Sequence, residues 1–159
     1  MEVFNCEFVI RDWTDYAGGT SACISGKCNG SLIDIIKKIY EVDEFLGEEL
    51  AENFVVVLED AGIEDVEVND DFSKNLKTLD KYTDYIDNKT FIDELRGFME
   101  YQDTSDSGPI ICRAEINGEV IDIDYDVDDH EYYNDDGDRE DRKIIRDLKI
   151  NKPKGWRLY

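Results

Sequence analysis

Between Ile110 and Val127 the chain reads IICRAEI-NG-EVIDIDYDV, two alternating apolar/polar runs joined by Asn117-Gly118. Asn-Gly tolerates the two successive positive φ angles of a type I′ turn, so this stretch predicts a β-hairpin, Ile110–Ile116 against Glu119–Val127. The second strand has two unlike faces: Ile121, Ile123, Tyr125 and Val127 on one, Asp122, Asp124, Asp126 and Asp128 on the other.

The remaining elements follow outward from that hairpin. Thr104 to Pro109, just before it, reads as a linker. At the amino terminus Phe4, Cys6, Phe8 and Ile10 alternate with Asn5, Glu7, Val9 and Arg11. With turn chemistry from Asp15 to Gly19 and a return run from Thr20 to Cys28, they predict an opening hairpin. Ser31 and Asp34 have the spacing of a capping box ahead of a helix from Leu32 to about Tyr40. An acidic helical stretch covers Val42 to Asn53. The β-branched run Phe54-Val55-Val56-Val57-Leu58 is expected to be a buried strand at the centre of the sheet, with Ala61-Gly62 turning into a second short strand, Ile63 to Val68. Asp70-Asp71 opens a helical pattern carrying Phe72, Leu76, Leu79, Tyr82, Tyr85 and Ile86; Phe91 to Met99 continues in another helix capped by Asn88 or Thr90. The sum is an α+β fold, a mixed or antiparallel sheet with two to three packed helices and a prominent hairpin in the C-terminal half. The expected organisation is a single domain over 1–159, with a possible sub-division into an α/β part, 1–103, and an acidic hairpin with its basic tail, 109–159.

At 159 residues, with 41% hydrophobic and 11% aromatic content, the chain is long and apolar enough to bury about 70% of its unfolded surface. It is too apolar for an acidic disordered chain. No apolar run is long enough for a membrane-spanning helix, and the first residues lack a basic region followed by an apolar stretch, so a cytosolic location is expected. The 40 Asp and Glu against 18 Lys and Arg give a net charge of −22. Such a charge opposes binding to phosphate backbones or anionic lipid and directs attention to basic partners or metal ions.

The charge is unevenly distributed. Glu119 to Asp141 holds twelve acids and one base, whereas Arg142 to Tyr159 holds seven bases and one acid. Carboxylates two residues apart on a strand face stand roughly 6.6 Å apart and repel by about 0.6 kcal/mol at the dielectric of water. Three explanations compete for this tract. One is a solvated loop balanced by the basic tail. Another is an irregular calcium site, although the EF-hand template from Asp124 fails where Asp129 replaces the turn glycine and Asp135 the terminal glutamate. The third is mimicry of nucleic acid, whose strands carry one charge per roughly 3.4 Å. Asp122, Asp124, Asp126, Asp128, Asp129, Glu131, Asp135 and Asp136 would then replace phosphates, and Tyr132 and Tyr133 would supply anchors. Glu41, Asp43, Glu44, Glu48, Glu49 and Glu52 offer a second row on a helix.

Catalysis finds little support. The single histidine, His130, sits among carboxylates that favour its charged form and make it a poor base. Gly26-Lys27-Cys28 lacks the hydroxyl residue and glycine spacing of a phosphate loop. Cys6, Cys23, Cys28 and Cys112 do not have the paired spacing of a structural zinc site and read as reduced core thiols. No catalytic residue, metal ligand or cofactor is assigned.

Phe8-Val9-Ile10-Arg11-Asp12 followed by Tyr16-Ala17-Gly18-Gly19, and Phe54 to Asp60 followed by a helix from Asp71, resemble the opening strand and turn and the later strand and acidic helix of ArdA-type antirestriction proteins. More broadly, the chain resembles the small acidic anti-defence proteins of phages and mobile elements, anti-CRISPR inhibitors among them. That resemblance implies a stoichiometric, non-enzymatic inhibitor in the bacterial host cytoplasm, occupying a nucleic-acid-binding surface of a CRISPR or restriction nuclease. The net charge leads us to expect no direct binding to nucleic acid or to membrane. The alternatives are a calcium- or magnesium-binding acidic protein and an immunity protein neutralising a basic toxin.

Overall fold

The computed structural model describes residues 2–14, 20–102, 108–123 and 152–158. Two hairpins and a set of helices make up the fold. Strands β1 (Phe4–Thr14) and β2 (Thr20–Gly30) pair antiparallel along their whole length, from Phe4 opposite Gly30 to Thr14 opposite Thr20. Four helices follow: α1 (Leu32–Val42), α2 (Glu44–Asp60), α3 (Phe72–Lys81) and α4 (Asn88–Glu100), with a short 3-10 turn at Thr83–Tyr85 between the last two. The second hairpin is β3 (Gly108–Ile116) and β4 (Glu119–Asp122), and β5 (Arg157–Leu158) adds two residues at the far edge. The sheet is antiparallel throughout, in the order β4-β3-β1-β2-β5.

Alternation along β1 places Phe4, Cys6, Phe8 and Ile10 in the core, beneath the helices. Phe91 of α4 stacks between Phe4 of β1, at 4.4 Å, and Phe54 of α2, at 5.5 Å, so three elements share one column of rings. The capping box is present in full: the Ser31 main-chain N–H donates to Asp34 Oδ2 at 3.0 Å, and the Asp34 N–H donates to Ser31 Oγ at 3.4 Å. Asn117 and Gly118 take φ of 50° and 89°, as a type I′ turn requires.

Two expected strands are absent. Phe54 to Leu58 is the second half of α2, and the centre of the sheet is β1. Asp43 caps this helix, accepting from the Leu46 N–H at 2.9 Å, and the buried residues Leu46, Leu50, Ala51, Phe54, Val55 and Leu58 recur with helical period while Val56 faces outward. Tertiary burial of that face overrides the strand preference of the valines. Ala61-Gly62 is the helix terminus, not a turn between strands. Gly62 has φ +79°, its N–H donates to Glu59 O, and the Ile63 N–H donates to Leu58 O, the two bonds of a Schellman motif. Ile63 to Val68 forms no strand: the Val68 N–H donates to the Glu59 side chain.

Three boundaries also move. Helix α3 stops at Lys81, leaving Tyr82 to Ile86 outside it, and α4 is capped by Asp87, which accepts from the Thr90 N–H at 2.8 Å, one residue before the expected Asn88. The expected linker ends early: Gly108 and Pro109 belong to β3.

Candidate acidic and groove surfaces

The hairpin is tied down at its turn. Asn117 donates its main-chain N–H to Asn5 O, accepts from the Asn5 N–H at 2.9 Å, and donates from its side chain to Asn88 Oδ1 at 2.7 Å. Along β4, Ile121 is buried and Asp122 exposed, the two-faced pattern expected of this strand. Asp122 is not a bare charge, because Arg113 on β3, directly opposite, brings Nε to 3.9 Å from Oδ2. Asp124, Asp126, Asp128, Asp129, Glu131, Tyr132, Tyr133, Asp135 and Asp136 lie outside the described residues. Among the described residues no group of three or more His, Cys, Asp or Glu converges as a metal site.

A second acidic surface is better defined. From Ile39 to Ser73 the chain holds thirteen acids and no Lys or Arg. This tract and Glu119 to Asp141 together carry 25 of the 40 acids and one of the 18 bases, which leaves the rest of the chain at +2. Helix α2 presents Glu44, Glu48, Glu49 and Glu52 at spacings that make them neighbours on its surface, where like charges repel. Among the described residues none of these four carboxylates has a Lys or Arg within ion-pair distance, whereas Lys89–Asp93, Arg96–Glu119, Arg113–Asp122 and Arg157–Glu7 are paired elsewhere. Partial burial, reinforced by Glu52 and Asp43, holds the Glu49 carboxyl above its ordinary range, and burial with Asp60 and Asp93 does the same for Glu94.

Glu49, Glu52 and Glu94 border a groove of about 890 Å³ between α2 and α4. Phe45 and Val56 line it from α2, Phe98 from α4, Tyr101 from that helix's C-cap, and Pro109 and Ile110 from the start of β3. Gln102 fixes that strand: its side chain donates to Ile111 O and accepts from the Ile111 N–H, both at 2.8 Å, clamping the end of α4 to β3. In the sequence the acids Glu41 to Glu52 stand out only as a second row on a helix. The signal that identifies it is the absence of any base over 35 residues, visible once α2 is seen to continue through Phe54 to Asp60.

All four cysteines are free. Burial pushes the Cys6, Cys28 and Cys112 thiols up to about 12, the opposite of what a nucleophile at neutral pH requires. No helix among the described residues is long and apolar enough to cross a membrane. Comparison with protein-family models, with curated proteins and with solved structures finds no match.

Proposed function

We propose that this protein is a non-enzymatic inhibitor that binds a basic, nucleic-acid-recognising surface of a bacterial defence nuclease, of the CRISPR or restriction type. The observation that carries this reading is the carboxylate row on α2, which has no compensating base among the described residues. A surface that retains mutual repulsion within the folded protein gains most from a partner of opposite sign, and its field accelerates encounter with that partner. In this reading Asp122, Asp124, Asp126, Asp128, Asp129, Glu131, Asp135 and Asp136 form a second phosphate-like row. Tyr132 and Tyr133 add specificity through buried aromatic area.

The test is a titration of purified nuclease with this protein, reading cleavage and binding together. Stoichiometric inhibition is expected that weakens as salt rises, competes with nucleic acid, and is lost when Glu44, Glu48, Asp122 and Asp124 are changed to the corresponding amides. Binding that persists unchanged in excess DNA refutes the mimicry.

A second reading, an immunity protein neutralising a basic toxin, draws on a different observation. The groove beside the acidic row has an apolar lining that phosphate mimicry does not use, whereas a protein–protein interface does.

A further inference from the structure

We propose that the groove between α2 and α4 is a docking site for an amphipathic helix of a partner protein, one whose apolar ridge is flanked by Lys or Arg. The inference goes beyond nucleic-acid mimicry and stands without it.

Shape supports a helix as the occupant. Phe45, Glu49, Glu52 and Val56 follow one another at intervals of four, three and four residues, so they form a single ridge of α2. At 1.5 Å per residue that ridge is about 16 Å long, room for roughly three helical turns. Glu94 and Phe98 on α4, with Tyr101 at its C-cap, form the facing ridge. Both banks are helices whose backbone groups are bonded internally, so an extended peptide finds no ladder to join there. A helix brings its own backbone bonds and needs only an apolar slot.

Exposure and charge specify the rest. Phe45 is 66%, Val56 40% and Tyr101 88% exposed, half of the large hydrophobic side chains that stand exposed among the described residues. Carboxylates border the groove on both banks, Glu49 and Glu52 on one and Glu94 on the other, and none of the described lining residues is Lys or Arg. An occupant with cations on both sides of its apolar ridge meets both banks. Gly97 adds an independent sign. It lies inside α4 on the groove, and a Cβ built there has no atom within 4 Å. The fold therefore leaves room for a side chain where glycine is unfavourable for the helix, and the bare position admits close approach of another backbone.

The test uses the full chain and two fluorescent peptides, one with Leu and Lys at helical spacing and one with Glu replacing each Lys. Anisotropy should show the Leu/Lys peptide binding with micromolar affinity and the Leu/Glu peptide not binding. NMR shifts should cluster at Phe45, Val56, Phe98 and Tyr101. Combined Glu49→Gln, Glu52→Gln and Glu94→Gln should weaken binding about tenfold or more, and Gly97→Leu, which fills the slot and keeps the helix, should do the same with an unchanged circular-dichroism spectrum. Equal binding by these variants, or shifts confined to other surfaces, overturns the proposal. So does concentration-dependent self-association of the protein alone that Phe45→Ala abolishes, because the groove then belongs to a second copy. Asp122→Asn should leave peptide binding intact, and this separates failure of the groove from failure of the nuclease-inhibitor reading.

Discussion

The indole of Trp156 packs directly on the backbone of Gly26, so closely that no Cβ fits between them. Trp156 is buried, and next to it Arg157 donates from Nε to Ser25 Oγ at 3.3 Å and brings Nη2 to 3.6 Å from Glu7 Oε1. The last described residues of the chain are thereby held against β2. Trp156→Ala should cost about 3–5 kcal/mol, and Gly26→Ala about 1–3 kcal/mol through overpacking. Both should lower the thermal midpoint, and Gly26→Ala, which keeps the indole, should shift tryptophan emission to the red; an unshifted Gly26→Ala spectrum would mean the indole is not seated there.

Ser31 is the second point of leverage. Ser31→Ala removes one half of the capping box at the start of α1 and should destabilise the protein by about 0.5–2 kcal/mol. Ser31→Asp, which keeps an acceptor at the cap but faces Asp34, should recover only part of the loss. Chemical denaturation with an unchanged m-value checks both.

Gly97 offers a stabilising change. Its helix-interior position and the empty space around its Cβ predict that Gly97→Ala raises stability by about 1 kcal/mol. A lower midpoint would show that the position needs glycine for the fold itself.

The response to acid should have two phases. The carboxyls of Glu49 and Glu94 titrate above their ordinary 4.5 in the folded state, so between 4.5 and their folded values the folded protein holds more protons than the unfolded chain. Stability should therefore rise as pH falls through that window and should not rise further below 4.5. Asp87 runs the other way. The Thr90 N–H bond lowers its pKa below 3.8, so its contribution is present above 3.8 and is lost as pH falls through the lowered value. Glu49→Gln should raise the melting temperature at pH 7 and reduce the gain on mild acidification; a melting temperature that shows no rise anywhere between pH 7 and 4.5 contradicts this.

Thiol chemistry should follow burial. Cys6 and Cys28, buried and with pKa values pushed up to about 12, should react with a thiol reagent at pH 8 only as fast as the protein unfolds, and half-buried Cys112 faster than either. Rapid labelling of Cys6 or Cys28 in the native protein contradicts their placement.

The parts of the fold legible in the sequence were those specified by short-range chemistry. Asn117-Gly118 set its own turn, Ser31 and Asp34 marked the start of α1, and the alternation from Phe4 to Ile10 gave the central strand. Phe54 to Leu58 has the look of a strand only when its valines are taken apart from what precedes them. With Leu46, Leu50 and Ala51 the same residues show a period of 3.6, and no residue between Asp43 and Gly62 breaks the helix. The groove was less legible still, since its two banks lie far apart in sequence and only the packing of α4 beside α2 brings Glu94 opposite Glu49 and Glu52. The acidic hairpin was legible as charge, but Arg113 opposite Asp122 became apparent only from the cross-strand register.

The central place of β1 carries a consequence for biosynthesis. Its neighbour on one side, β2, follows almost at once, while the contact between Val9 and Cys112 on the other side spans 103 residues. A nascent chain that has already closed the first hairpin and the helices still presents β1 with one row of main-chain donors and acceptors unsatisfied. During that interval the strand is open to pairing with another copy, so the load on chaperones should peak before β3 leaves the ribosome and fall once it docks.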